Sequence, residues 1–232
     1  MRIRDMNWMM VEEYLKRDNR AVIPIGSTEQ HAHLSLMVDC ILSEKVSLDA
    51  AEPLRVPVFP TINFGITPYF RAFPGTISMR LQTFHAVVED ALNCLKEQGF
   101  RRVVLVNGHG GNGSVQQLAQ DWMTSNRGLR VKVHNWYSAP RTWEKVKAID
   151  PLASHASWVE NFPWTRLDGV ESPTQQKPMV SMEQINRSTA QEVRAILGDG
   201  NFGGFYQRSD EEMTALWHVA VQETRAIIDE NW

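Results

Sequence analysis

Residues 102–113 read RVVLVNGHGGNG, and their reading decides the fold. The run from Val103 to Val106 is short, apolar and mostly β-branched. An arginine precedes it and a glycine-rich turn follows, which marks a buried strand. The residues after the turn, 114–125, read as a helix. The same strand–turn–helix order appears earlier in the chain. Residues 21–25 (AVIPI) form an apolar run that stops at Gly26. Residues 39–51 then place Ile41, Leu42, Val46 and Leu48 on one helical face, and Pro53 ends that helix. Residues 81–98 read as a long amphipathic helix closed by Gly99. Further strands are expected at 129–133 and, weakened to an edge by Pro57 and Pro60, at 56–60. Helices are expected at 8–17 and 208–229. The alternation predicts an α/β fold with a mostly parallel central sheet, in one domain spanning 1–232. Residues 61–79 and 162–188 read as loops, the latter as an insertion over a site.

Composition narrows the function. The chain has 232 residues, 43% of them hydrophobic, enough for a sizeable core. A formal net charge of -3 provides no basic field for nucleic acid. No apolar run is long enough to cross a membrane, and the charged start MRIRDMNWMM lacks a secretory apolar region. The expectation is a cytoplasmic protein acting on a small molecule, with no nucleic-acid or membrane partner. Cys40 and Cys94 are expected as buried, reduced thiols. The eight tryptophans suit core packing and an oligomer interface, with some free to line a pocket.

Both polar clusters follow strands. Ligands of open α/β sheets bind beyond the carboxyl ends of the strands. Glu29, His31, His33 and Asp39 follow the first strand, and His109 follows the strand at 102–106. Adjacent parallel strands would bring these loops together. Carboxylate plus imidazole is a ligand set for Zn²⁺, Mn²⁺ or Fe²⁺. Glu29 and His31 are two apart and so face one way in an extended segment. Asp39 would open a helix, where its carboxylate can cap and coordinate. A hydrogen-bonding loop without metal is the other reading of these residue types. NGHGGNG fits neither GxGxxG nor GxxxxGK[ST], so its glycines are better explained by a backbone bent around a ligating imidazole. A third cluster, Ser154 to Glu160, contains His155 and Glu160.

Together these clusters resemble the creatininase (creatinine amidohydrolase) family. Gly26-Ser27-Thr28-Glu29-Gln30-His31, with His33-Leu34 and Asp39, is similar to the family's first signature. Phe73-Pro74-Gly75-Thr76 looks like its PGT segment, Asn107 to Asn112 matches N-G-H-G-G-N, and His155-Ala156 with Glu160 resembles H-A-x-x-x-E. The resemblance implies a three-layer α/β/α sandwich, a homo-oligomer that is often a hexamer, and hydrolysis of C–N bonds in cyclic or formyl amides at a centre of two divalent ions. It implies one ion held by Glu29, Asp39 and His109, a second held by His31 and the shared Asp39, and His155 as the catalytic histidine. Gly111 stands where creatininase has a metal-binding glutamate, so Glu160 is expected to supply that carboxylate, ligating or orienting. Ser27 and Gln30 are expected to position ligands. His33 reads as a hydrogen-bonding partner, and His85, His134 and His218 as structural. Arg71, Trp136, Tyr137 and Trp158 are candidates for the pocket wall. The rival readings are ring-opening hydrolysis of a cyclic inositol-derived diketone on the same metals, and a non-catalytic sugar or nucleotide binder. Glu29 and Asp39 would repel a binder's phosphate.

Overall fold

The computed structural model describes residues 1–230 and residue 232. Three parallel strands form its sheet: β1 (Arg20–Ile25), β2 (Arg102–Asn107) and β3 (Arg130–Asn135), in the order β1-β2-β3. The register aligns Ile25 with Asn107, and Asn107 with Asn135. All three carboxyl ends therefore lie along one edge, and the turns after β1 and β2 start side by side.

Alternate residues of each strand enter different layers, as a period of two requires. Ala21, Ile23, Ile25, Val103 and Leu105 pack with Phe84, Val88 and Leu92 of α3 (Leu81–Gln98) and Ala119 and Trp122 of α4 (Val115–Ser125). Tyr14 of α1 (Trp8–Leu15) joins this face. Val22, Val104 and Val106 face the other way. They meet Leu42 and Val46 of α2 (Val38–Ala51), Val146 of α5 (Pro140–Ile149), and Met213 and Leu216 of α8 (Asp210–Asp229). Burial on both faces explains why the strands read as continuous apolar runs. The result is a three-layer α/β/α sandwich.

The segment at 56–60 pairs with β1 only in part. Val22 and Ile25 make isolated parallel bridges to Val58 and Ile62. Pro57 and Pro60 cannot donate to a ladder, so no continuous strand forms. Pro24 lies inside β1 but turns toward this irregular edge, where its carbonyl accepts from the Ile62 N–H at 3.0 Å. Helix 81–98 ends at Gly99 with φ 108°, the left-handed cap that favours glycine. The long loop expected at 162–188 is interrupted near its end by α6 (Met182–Asn186), and α7 (Ala190–Leu197) follows. Phe70, Phe73, Ile185, Val193, Leu197 and Phe202 form a satellite apolar cluster around these helices.

Cys94 is exposed, contrary to expectation, whereas Cys40 is buried. The buried stripe of α3 runs through Phe84, Val88, Leu92 and Leu95, and Cys94 points about 200° away from Leu92. Among the described residues no helix is long and apolar enough to cross a membrane.

A tertiary cap sets the start of α5. Its N-cap residue is Ala139, which offers no side-chain acceptor. The Glu223 carboxylate of α8 takes that role. It accepts from the N–H groups of Arg141 (3.0 Å) and Thr142 (2.8 Å) and from the Thr142 hydroxyl (2.8 Å). Glu223→Ala leaves these buried donors unpaired and should cost about 2–4 kcal/mol in urea unfolding. A loss below about 0.5 kcal/mol would show that water replaces the cap.

Candidate metal centre

The turn after β1 delivers Ser27, Glu29, Gln30 and His31, all buried. The turn after β2 delivers His109. Two asparagines tie these turns together. The Asn107 amide donates to the His109 carbonyl (2.8 Å) and to Asn135 Oδ1 (2.9 Å), while its own Oδ1 accepts from the His109 N–H (3.1 Å). Asn112 donates to the Gly26 carbonyl at 3.0 Å and accepts from the Ile66 N–H at 3.1 Å. Gly108 lets the turn approach α2: a Cβ there would lie 2.4 Å from the Asp39 carbonyl oxygen. Asp39 sits in the first turn of α2, where the helix dipole favours its charge. It does not cap that helix, as the sequence reading expected. The N-cap is Met37, and the Asp39 carboxylate is turned to the histidines instead.

Asp39 is the hub. Its Oδ2 lies 3.1 Å from His109 Nδ1 and its Oδ1 lies 3.2 Å from His31 Nε2. His109 Nδ1 is also 3.3 Å from Glu29 Oε1, and His31 Nε2 is 3.7 Å from Glu160 Oε2. Donor atoms within 4.8 Å of one another occur in the sets Glu29–Asp39–His109, His31–Asp39–Glu160 and Glu29–His31–His155. The other ring nitrogens hold the imidazoles in place. His109 Nε2 contacts the Ile66 carbonyl at 3.0 Å and His31 Nδ1 the Glu29 carbonyl at 3.1 Å. Donating there leaves His109 Nδ1 and His31 Nε2 to face the carboxylates as ligands.

Burial makes this donor set costly without a bound cation. Glu29 Oε1, His31 Nε2 and Asp39 Oδ2 are buried and have no hydrogen-bond partner. Protons carry the charge in the metal-free chain. Burial opposes a charged His31, but Asp39 and then Glu160 outweigh it and raise the imidazole to about 10. His109 is also raised well above its ordinary value, against burial, chiefly by Glu29. Asp39 is held low, against burial, by His31 and His109. Divalent cations would replace these protons on a matched set of hard and borderline donors.

His155 and Glu160 differ from the four sealed donors. Their side chains are 18% and 21% exposed, against 4% or less for Glu29, His31, Asp39 and His109. Both reach the cavity next to the cluster. His155 stacks on Phe70 at 4.7 Å and meets Phe202 edge-on at 5.2 Å. Burial, then the nearby His31 charge, lowers it to about 4, so it is neutral at pH 7. Its Nε2 lies 2.9 Å from both the carbonyl and the side-chain nitrogen of Gln30, so either tautomer finds a partner. Glu160 belongs to a short 3₁₀ turn (Trp158–Glu160) and is raised to about 7 by burial. It accepts from the Ala156 N–H at 2.6 Å. Ser27 donates to Glu29 Oε2 at 3.1 Å, the positioning role expected of it.

Gly111 explains the place of Glu160. A Cβ at 111 would stand 1.9 Å from the Ile66 carbonyl oxygen, so no side chain fits there. The carboxylate that faces His31 arrives from the other side, on Glu160.

His33 lies outside the cluster, half-buried, 3.7 Å from Asp199 and edge-on to Tyr206. His85 contacts the Ser114 hydroxyl at 2.8 Å and His134 the Thr224 hydroxyl at 3.0 Å. Two pocket candidates are corrected. Trp158 is fully buried in the core, its indole N–H donating to the Leu152 carbonyl. Arg71 is exposed and does not line the cavity. Trp136 and Tyr137 do line it, together with Tyr69, Phe70, Trp143 and Phe202, which the sequence reading did not name. They share no sequence signal: Tyr69 and Phe70 sit in a 3₁₀ turn of the 61–79 loop, Trp143 on α5, and Phe202 in the loop between α7 and α8.

A family model described as Creatininase: Creatinine amidohydrolase matches residues 4–228. A creatinine amidohydrolase of Pseudomonas putida is 34% identical over 94 residues, 38% of this chain and 36% of that protein. A mycofactocin precursor peptide peptidase of Mycolicibacterium smegmatis is 35% identical over 106 residues, 42% of this chain and 41% of the relative. A 3-dehydro-scyllo-inosose hydrolase of Thermotoga maritima is 29% identical over 107 residues, 45% and 34% of the two chains. The aligned part thus spans less than half the length of these relatives. Over the whole chain the likeness is one of fold: a creatinine amidohydrolase crystal structure superposes with a TM-score of 0.79 at 19% identity, covering 99% of this chain and 98% of that one. Creatininase structures of the same fold include a zinc–zinc form and a manganese form. With a family model running almost from end to end and the sandwich to match it, the chain belongs to the creatininase family.

Proposed function

We propose that this protein is a metal-dependent hydrolase of C–N bonds in a cyclic amide or a formamide, working with two divalent ions per subunit, zinc, manganese or iron. The observation that carries the reading is the division of the donor set by Asp39. One carboxylate oxygen faces His109 and Glu29, and the other faces His31 and Glu160. Glu29, Asp39 and His109 would hold one ion. His31, the shared Asp39 and Glu160 would hold the other. Bound there, divalent cations supply a water acidic enough to ionise near neutral pH and polarise the substrate carbonyl.

The chain's own residues handle the protons. His155, neutral at pH 7, takes the proton released as water adds to the carbonyl carbon. It hands that proton to the nitrogen as the C–N bond breaks, which a poor leaving group requires. Gln30 accommodates both states of the ring through its carbonyl and its amide. Glu160 loses its proton on ligating a cation and then serves as ligand rather than acid.

Ring opening of an inositol-derived diketone would use the same donors, and Tyr69, Tyr137, Ser154 and Asn186 of the cavity wall can meet hydroxyls, so cyclic ketones belong in the screen. A phosphate-binding module is disfavoured because Glu29, Asp39 and Glu160 all face the glycine turn. A homo-oligomer, hexameric as the family resemblance implies, would cover the exposed Trp8, Met9 and Met10 of α1. A cytoplasmic, reducing location suits the two unpaired cysteines.

The test is elemental analysis of purified protein, followed by a screen of lactams, formamides and cyclic ketones with the metal restored. About two ions per subunit and amide turnover are expected. A protein that stays fully active after rigorous chelation would end the proposal.

A further inference from the structure

We infer that the substrate of this site is an amide without an anionic substituent that carries a large apolar or aromatic group beside the scissile bond. This rests on the hydrolytic reading above and narrows it to a substrate class.

The cavity has a volume of about 460 Å³, in the range that encloses drug-sized ligands rather than a small heterocycle alone. The polar groups of its floor are the donor cluster and His155. Above them the wall is mostly aromatic: Phe70 and Phe202 bracket His155, Trp136, Tyr137 and Ile185 also line it, and its polar points are the neutral Tyr69 and Tyr137 hydroxyls, the Trp136 indole N–H, Ser154 and Asn186. Trp143 and Met182, both partly exposed, stand at the rim. No lysine or arginine lines the cavity among the described residues. The carboxylates facing it are already committed to the cluster. A carboxylate group on the distal part of a substrate would therefore be buried against aromatic rings without a cationic partner, a costly placement. An uncharged apolar group gains from the same wall. The floor selects the amide, and the wall selects what the amide is attached to.

The experiment compares three probes on the metal-loaded protein by calorimetric binding: acetamide, phenylacetamide and phenylacetamide with a para-carboxylate. Phenylacetamide should bind roughly thirtyfold tighter than acetamide. The para-carboxylate version should bind at least about tenfold more weakly than phenylacetamide. Trp143→Ala at the exposed rim should narrow the phenylacetamide advantage about fivefold. Met182→Arg should recover about fivefold for the para-carboxylate, because it places a cation at the mouth. Equal binding of acetamide and phenylacetamide overturns the inference. So does parity of the para-carboxylate version with phenylacetamide, or no measurable binding of phenylacetamide. Turnover is read separately. The expected binding order with no lactam or formamide cleaved in the screen above would sink the hydrolase reading and leave the pocket preference standing. Cleavage with the order reversed would do the opposite.

Discussion

His109→Ala should abolish metal binding and activity together while the sandwich persists. His109 Nδ1 lies within 3.3 Å of both Glu29 and Asp39, so its loss opens the site that those carboxylates complete. Changing a group that merely orients a metal ligand already lowers affinity about 10–100-fold, and a ligand should cost at least about a hundredfold. Because Asp39 is shared, the neighbouring site should weaken as well. Metal content by elemental analysis should fall below one ion per subunit, with kcat/KM down by more than about a hundredfold. The metal-free variant should also be less stable by about 3–5 kcal/mol at neutral pH, since two buried carboxylates lose a cationic partner. The strands and helices remain, because the core clusters do not include this residue. Unchanged metal stoichiometry would contradict the ligand assignment.

His155→Ala should have the complementary phenotype. His155 Nδ1 is 3.8 Å from Glu29 Oε1, farther than the contacts among Glu29, Asp39, His31 and His109, and its ring opens to the cavity. Metal content should stay near two ions per subunit while kcat falls about 10²–10⁴-fold, the range for loss of a proton-transfer group. A small amine added to the assay should restore part of the rate in the space vacated between Phe70 and Phe202. Loss of metal would make His155 a ligand in the set with Glu29 and His31. An unchanged kcat would reduce it to a packing residue.

The strands and the principal helices could be read from the chain because each carries its own periodicity. Val103 to Val106 cannot be placed anywhere but a buried strand, and Gly99 marks a helix end through its backbone freedom. The donor types at Glu29, His31, Asp39 and His109 were equally legible, because parallel strands must deliver their turns to one edge. The helices α5, α6 and α7 were missed. Met182–Asn186 has five residues, too few to show a period, and the cluster around Phe70 and Phe202 holds it in place. The cap of α5 was invisible because its acceptor, Glu223, is 81 residues away from Thr142.

Local chemistry therefore set the secondary elements and the inventory of metal-capable side chains, since periodicity, turn residues and donor types are properties of neighbouring residues. The three-dimensional packing settled matters that no window of sequence contains. It aimed Asp39 at two histidines instead of its own helix end, closed position 111 with the Ile66 carbonyl, and buried Trp158 while opening Trp143 to the cavity. Those outcomes depend on distances between segments far apart in the chain, and such distances exist only once the layers have packed.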